Sequence, residues 1–311
     1  MEPEKWAAEI KDVFLYCFIK LKGTEFMKKT MIALGIAISA VSGVAHAWTN
    51  GEFSGAVDIG GSVTVDDYRQ KWSWKVGSAI NGFSNVLKDL TNNGTKLTIT
   101  VNGDKPILLG KTNEAFSVPQ LGSLGAIPNI ELTDFEGATV TLTNPTGVTN
   151  KGLVSFVLPM KDAGGAKIGS VKVNATYAGA VAIGTDQGSQ GKLKSLFVND
   201  RNNIFYGGMP TNVPQAELQN GIDAIQMVSL FGGITGSDIL AQIKAVHANI
   251  SSFISMPQPT SENTQYTGSE VFSAGYAMGI ANGQTIEVTF NHSVLSSTQW
   301  SAPLNALIVY G

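Results

Sequence analysis

Few side chains in this chain could carry chemistry. After the first 47 residues, histidine occurs at His247 and His292 and cysteine does not occur. A nucleophilic triad needs a base within hydrogen-bond reach of Ser, Cys or Thr, and neither histidine stands in a motif that would set one up. His247 falls on the polar side of a predicted helix and His292 follows Asn291 at a strand end, so both read as solvated surface groups. "GKT" at Gly110–Thr112 has the ending of a phosphate loop, but that pattern requires a glycine five positions before Gly110, where Lys105 stands. No HExxH, CxxC or clustered His/Asp spacing points to a metal, and no acidic residue stands out as one of a glycosidase pair. The reading is of a non-enzyme with no cofactor and no metal.

What remains is a cluster suited to binding. Phe197, Asn199, Asp200, Arg201, Asn202, Asn203, Phe205 and Tyr206 fall within ten positions. Sugars present an apolar C–H face to aromatic rings and hydroxyls to planar carboxylate, amide and guanidinium groups, so the segment has the chemistry of a carbohydrate site. The competing reading is an ordinary surface hairpin whose aromatics face the core.

The elements that must position this cluster are mostly strands. "KWSWKV", "KLTITV" after Asn92-Asn93-Gly94, "ATVTLT", "GLVSFVLPM" and "GSVKVNATYAG" recur with turn signals between them; "EVFSAGYAMGI", "TIEVTF" and "APLNALIVYG" resume the pattern near the end. This is the grammar of a mainly all-β, immunoglobulin-like sandwich, with a core over 67–177 and 263–311. Residues 178–262 differ and read as an inserted α/β subdomain. They open with a Gly/Gln/Ser-rich loop from Ala178 and then show helical periodicity. Ser237 and Asp238 are the predicted caps of a helix carrying Ile239, Ile243, Val246, Ile250 and Phe253 on one face, and Pro214 begins a second candidate that Gly221 weakens.

At the other end, Met27–Ala47 has two lysines, a short apolar run and a small-x-small ending, the pattern of a secretory signal cleaved between Ala47 and Trp48. Residues 1–26 stand outside that pattern and read as a mis-assigned start or a cloning-derived leader, or alternatively as a short amphipathic helix. The whole chain has 21 basic and 24 acidic residues; without residues 1–47 these become 15 and 19, an acidic balance that argues against nucleic acid as a partner. Cys17 is the single cysteine, so the exported chain has no disulfide and relies on core burial. Within 48–66, the odd positions Phe53, Gly55, Val57, Ile59, Gly61, Val63 and Val65 alternate with small or polar residues. That is a half-buried strand with no hairpin turn after it, and so no evident local partner.

The blocks "VDIGGS", "DDYRQKW", "KLTITV", "FVLPMK", "GSVKVNA", "IFYGG", "MGIANGQTIE" and "STQWSAPLN", in this order along the chain, resemble the FaeG/ClpG-type major fimbrial subunits of enterotoxigenic enterobacteria. The resemblance implies a sandwich missing its last strand, handled by a periplasmic chaperone and an outer-membrane usher and exported to the cell surface. The missing strand is supplied by the N-terminal extension of the next identical subunit, head to tail. Phe53, Val57, Ile59, Val63 and Val65 would then be the donor side chains, and Leu304, Ala306, Ile308 and Tyr310 of the last strand the ones the chaperone holds. The terminal Gly311 departs from the family pattern. The resemblance also implies a lectin for galactose-containing glycolipids or glycoproteins on intestinal cells, with its site near "SLF", Ser195–Phe197. Phe197 would be the stacking face, Asn199, Asp200 and Arg201 polar contacts, and Asp186 an acidic loop contact. The ClpG-type relatives represent the alternative, a structural capsule-like filament without defined lectin activity.

Overall fold

In a computed structural model, residues 68–78, 80–118, 125–211, 217–264 and 268–311 are described. The expected signal peptide, its cleavage point at Ala47 and Trp48, and the strand Phe53–Val65 lie outside these residues.

Three long antiparallel ribbons carry the larger sheet. One is a single strand, β6 (Lys167–Gly184). The second is built from β10 (Val271–Ile280), paired with the later part of β6 from Val271↔Gly184 to Gly279↔Thr176, and β11 (Thr285–Phe290), paired with the earlier part from Ile286↔Val173 to Phe290↔Gly169. The third consists of β3 (Lys105–Thr112) along β10 and β2 (Lys96–Thr100) along β11. The ribbons change register at one level, where Gly283 N donates to Val101 O (2.8 Å) and Gln284 Nε2 to Thr176 Oγ1 (2.9 Å). β1 (Trp72–Val76) forms an edge on β3. β5 (Leu153–Asp162) and β7 (Gln190–Ser195) flank β6, with β12 (Trp300–Ser301) on β5 and β9 (Ser252–Ser255) on β7. A smaller sheet of β13 (Leu304–Tyr310), β4 (Pro128–Asp134) and β8 (Tyr206–Gly207) packs over the larger one through Ile130, Leu132, Phe205, Phe272 and Tyr276.

The later part of β6 is buried on both faces. Tyr177, Val181 and Ile183 enter the core between the sheets, while Ala178, Ala180 and Ala182 lie under two helices. A strand covered on both sides reads as a continuous apolar run without polar alternation. For this reason the loop expected from Ala178 is instead strand as far as Gly184. "ATVTLT", expected as a strand, makes only isolated bridges, Thr133↔Thr139 and Thr143↔Ser155.

The helices also begin where local chemistry dictates. α1 (Gly221–Leu230) has Asn220 as its N-cap, with Oδ1 accepting from Asp223 N at 2.9 Å. Gly221, counted against this helix in the sequence, is its first residue, because a Cβ there would lie 2.2 Å from Leu193 O of β7. α2 (Gly236–Val246) is capped by Thr235 rather than Ser237: Thr235 Oγ1 accepts from Asp238 N and the Asp238 carboxylate accepts from Thr235 N, both at 3.1 Å. Hydrogen bonds from Thr235 hold the Asp238 carboxyl below its usual range. Ile239 and Ile243 are buried, but Val246 is exposed, and Ile250 and Phe253 lie beyond the helix. Ile250 still reaches the second core from its loop.

Candidate functional site

The first candidate site is a groove between the two sheets. It arises from the alternation in "WSWKV": Trp72, Trp74 and Val76 share one face of β1 and point between the sheets. Trp72 is 4% exposed and stacks on Trp74 with ring centres 5.6 Å apart. Trp74 lies flat over β3, where a Cβ on Gly110 would come 2.3 Å from its ring. Its Nε1 donates to the Tyr310 hydroxyl of β13 at 3.2 Å, and partial burial raises the Tyr310 pKa. At this point the edges of the two sheets are joined by side chains.

One step further along the same face the arrangement changes. Val76 points inward like the tryptophans yet is 66% exposed. Beyond it a space of about 410 Å³ opens between Val76–Asn81 on one side and Ala302, Leu304 and Ala306 on the other. It continues into a space of about 580 Å³ over Leu158, Val171, Val173 and Ile286, and then into one of about 440 Å³ walled by Phe83, Leu90, Leu97 and Trp300. Shared wall residues, Ile80, Leu158, Val173 and Ala302 between the first two and Phe83, Thr298 and Trp300 between the last two, make these one trough. Along its rim β13 pairs with β4 on one side only, and among the described residues its other edge faces the trough without a strand partner. Leu304, Ile308 and Tyr310 of β13 pack inward, while Leu307 and Val309 face out.

The second candidate site is the loop after β7. Asn203 is 3% exposed and organises it: its Oδ1 accepts from Asn199 N (3.0 Å) and Asp200 N (3.1 Å), and its Nδ2 donates to Ser261 Oγ (2.9 Å) and Asn263 Oδ1 (3.1 Å). Asp200 Oδ1 accepts from Asn202 N at 2.8 Å, and the Arg201 guanidinium lies 5.2 Å from the Tyr206 ring centre. Asn199, Asp200 and Arg201 are thus displayed together on the surface, beside a half-buried Phe197 whose N–H donates to Thr260 O. Asp186 lies elsewhere. It occupies the loop before β7, so a strand of about 17–20 Å separates it from Phe197. There it accepts from Ser269 Oγ (2.5 Å) and Gln187 Nε2 (3.1 Å), contacts that lower its pKa. His247 ends α2 with its ring 2.6 Å from Ser269 O, away from any nucleophile pairing.

Sequence reasoning found the loop after β7 but missed the walls of the groove. The available signal was Trp72-Ser73-Trp74, two aromatic side chains on one face of a strand that then continues into small residues. It also missed Glu217, which is 1% exposed just before α1 and accepts from the Tyr177 hydroxyl at 2.9 Å. Asn144 Nδ2 donates to the same hydroxyl at 3.0 Å. Burial pushes the Glu217 carboxyl up to about 8, and burial likewise raises Tyr177 and Tyr276 above the ordinary phenol range. A buried acid in a stretch of polar sequence carries no periodic signal.

An all-β subunit with an apolar trough along an unpaired strand edge and a polar loop on its surface is a surface-assembly protein, and family comparison agrees. Residues 27–311 match the family described as fimbrial, major and minor subunit, and the chain belongs to it. It is 60% identical over 284 residues to K88 fimbrial protein AD of Escherichia coli, covering 91% of this chain and 100% of that protein, and 59% identical over 284 residues to K88 fimbrial protein AB of the same organism. F41 fimbrial protein of Escherichia coli is more distant, at 27% identity over 293 residues. The chain is therefore a FaeG-type fimbrial subunit, exported and assembled with other subunits on the cell surface, and not an enzyme.

Proposed function

We propose that this subunit polymerises by donor-strand exchange: Phe53–Val65 of one copy enters the trough of the next, with Phe53, Val57, Ile59, Val63 and Val65 inward. The observation that carries this reading is Val76, an inward-facing core position left 66% exposed beside an unpaired strand edge. An apolar trough next to free backbone donors and acceptors is the setting for strand addition. The contact is heterologous and does not close, so repetition gives a filament. Before assembly a periplasmic chaperone occupies the trough and holds Leu304, Ala306, Ile308 and Tyr310. An outer-membrane usher then exports the subunit, after residues 27–47 have been removed between Ala47 and Trp48. Deleting residues 48–66 should leave a chaperone-bound subunit that forms no filaments; filaments from the deletion would refute the exchange.

The filament is also an adhesin for galactose-containing glycolipids or glycoproteins on intestinal cells, bound at the loop after β7. The exposed Asn199, Asp200 and Arg201 beside Phe197 support this reading, and Asp186, at the far end of β7, belongs to a different part of the surface. Many weak sites on one polymer give strong attachment by avidity. A glycan array on a subunit completed by its own donor strand grafted at the C-terminus tests it, read against Phe197→Ala. Selective binding to terminal galactose that is lost in Phe197→Ala supports the adhesin. No binding, even by intact filaments, would favour the structural capsule-like polymer.

A further inference from the structure

The donor-strand reading, on which this inference rests, does not say where the incoming strand stops. β1 and β13 are edge strands, and the pair Trp74–Tyr310 joins them at one end of the trough. The layer that this pair fills cannot also take a donor side chain, so a strand can cross it only with a glycine facing inward. The donor segment has glycine at two inward positions, Gly55 and Gly61. We propose that the Trp74–Tyr310 pair sets the register of the filament, with Gly55 of the incoming strand crossing over it. The donor runs antiparallel to β13, as β4 does on the other side. Antiparallel pairing is also slightly the more stable per residue.

This register matches large against small along the trough. Val57 falls opposite Ile308, Ile59 opposite Ala306, Gly61 opposite Leu304, Val63 opposite Ala302 and Val65 near Trp300. Ile59 and Val63 thus fill the two alanine positions of the wall, and the second glycine relieves the leucine between them. Placing Gly61 over the pair instead would push Phe53–Ile59 past it, where Trp72, Phe205 and Tyr276 already fill the interior. It would also leave the space over Leu158 and Val171 without an apolar donor residue.

The only cysteine is Cys17, ahead of the proposed cleavage point, so introduced cysteines report the register cleanly. Ile59→Cys combined with Ala306→Cys should form an intersubunit disulfide ladder in assembled surface filaments. Ile59→Cys with Leu304→Cys or Ile308→Cys should not, because two residues of slip move the partners about 7 Å along the strand, beyond disulfide reach. A ladder at either shifted pair overturns this register while leaving strand exchange intact. Filaments that form but cross-link at none of the three pairs overturn the exchange itself. Gly55→Leu, a change outside the folded sandwich, should lower filament yield roughly ten-fold or more, as overpacking at a filled layer predicts. Normal yield would refute the role of the Trp74–Tyr310 pair.

Discussion

The sandwich is filled at one end and open at the other, and one strand shows both. On β1, exposure of inward-facing residues rises from 4% at Trp72 to 66% at Val76, only four residues on. At the filled end, β6 and β10 are covered on both faces, by the smaller sheet and by α1 and α2. At the open end Leu158, Val171 and Val173 of β5 and β6 form the floor of a trough. The difference shows that an apolar strand face does not by itself mean a finished core. The filled half can stabilise the subunit, while the open half holds burial in reserve for a neighbour.

The largest effect should come from the filled half. Phe272 is fully buried, with its ring centre 4.5 Å from that of Phe116, so Phe272→Ala should cost about 3–5 kcal/mol, measured by denaturant unfolding. Next is Glu217, whose folded carboxyl keeps its proton up to about 8 while the unfolded one, near 4.5, releases it. Stability is then greatest below the unfolded value, falls as pH rises between the two, and levels off above 8, a change of a few kcal/mol. Glu217→Gln should flatten that slope, and an unchanged pH profile would show that the acid is not buried in solution. Trp74→Phe keeps the ring but removes the hydrogen bond to Tyr310, for a loss of about 1 kcal/mol. The smallest effect separates the halves most sharply. Val76→Ala should change stability by less than about 0.5 kcal/mol in a subunit lacking residues 48–66, and by about 1 kcal/mol once a donor strand covers the position.

Much of this fold was legible because half-buried strands announce themselves. "KLTITV" and "TIEVTF" alternate and pair as β2 and β11, and the turn at Asn92-Asn93-Gly94 has positive φ at all three residues, 48°, 53° and 77°. The signal failed where burial was two-sided, as in Ala178–Gly184, or where tertiary contact decided the outcome. Gly221 looks like a helix breaker until the carbonyl of Leu193 is brought against it. Isolated bridges, as in "ATVTLT", have the same alternation as a strand, so pattern alone could not demote them. The polar loop could be found by composition, but its organiser, Asn203, could not be told apart from its neighbours without the contacts that bury it. The trough was inferred from a strand that lacked a partner, whereas its walls come from segments far apart in sequence, Val76–Phe83 and Trp300–Ala306.

The most direct test of the account is amide hydrogen exchange on β13. In the subunit lacking residues 48–66, every second amide of Leu304–Tyr310, those turned away from β4, should exchange rapidly, and a synthetic peptide of residues 53–65 should protect them as filament assembly does. Equal protection with and without the peptide would mean that the edge of β13 is not where the next subunit enters.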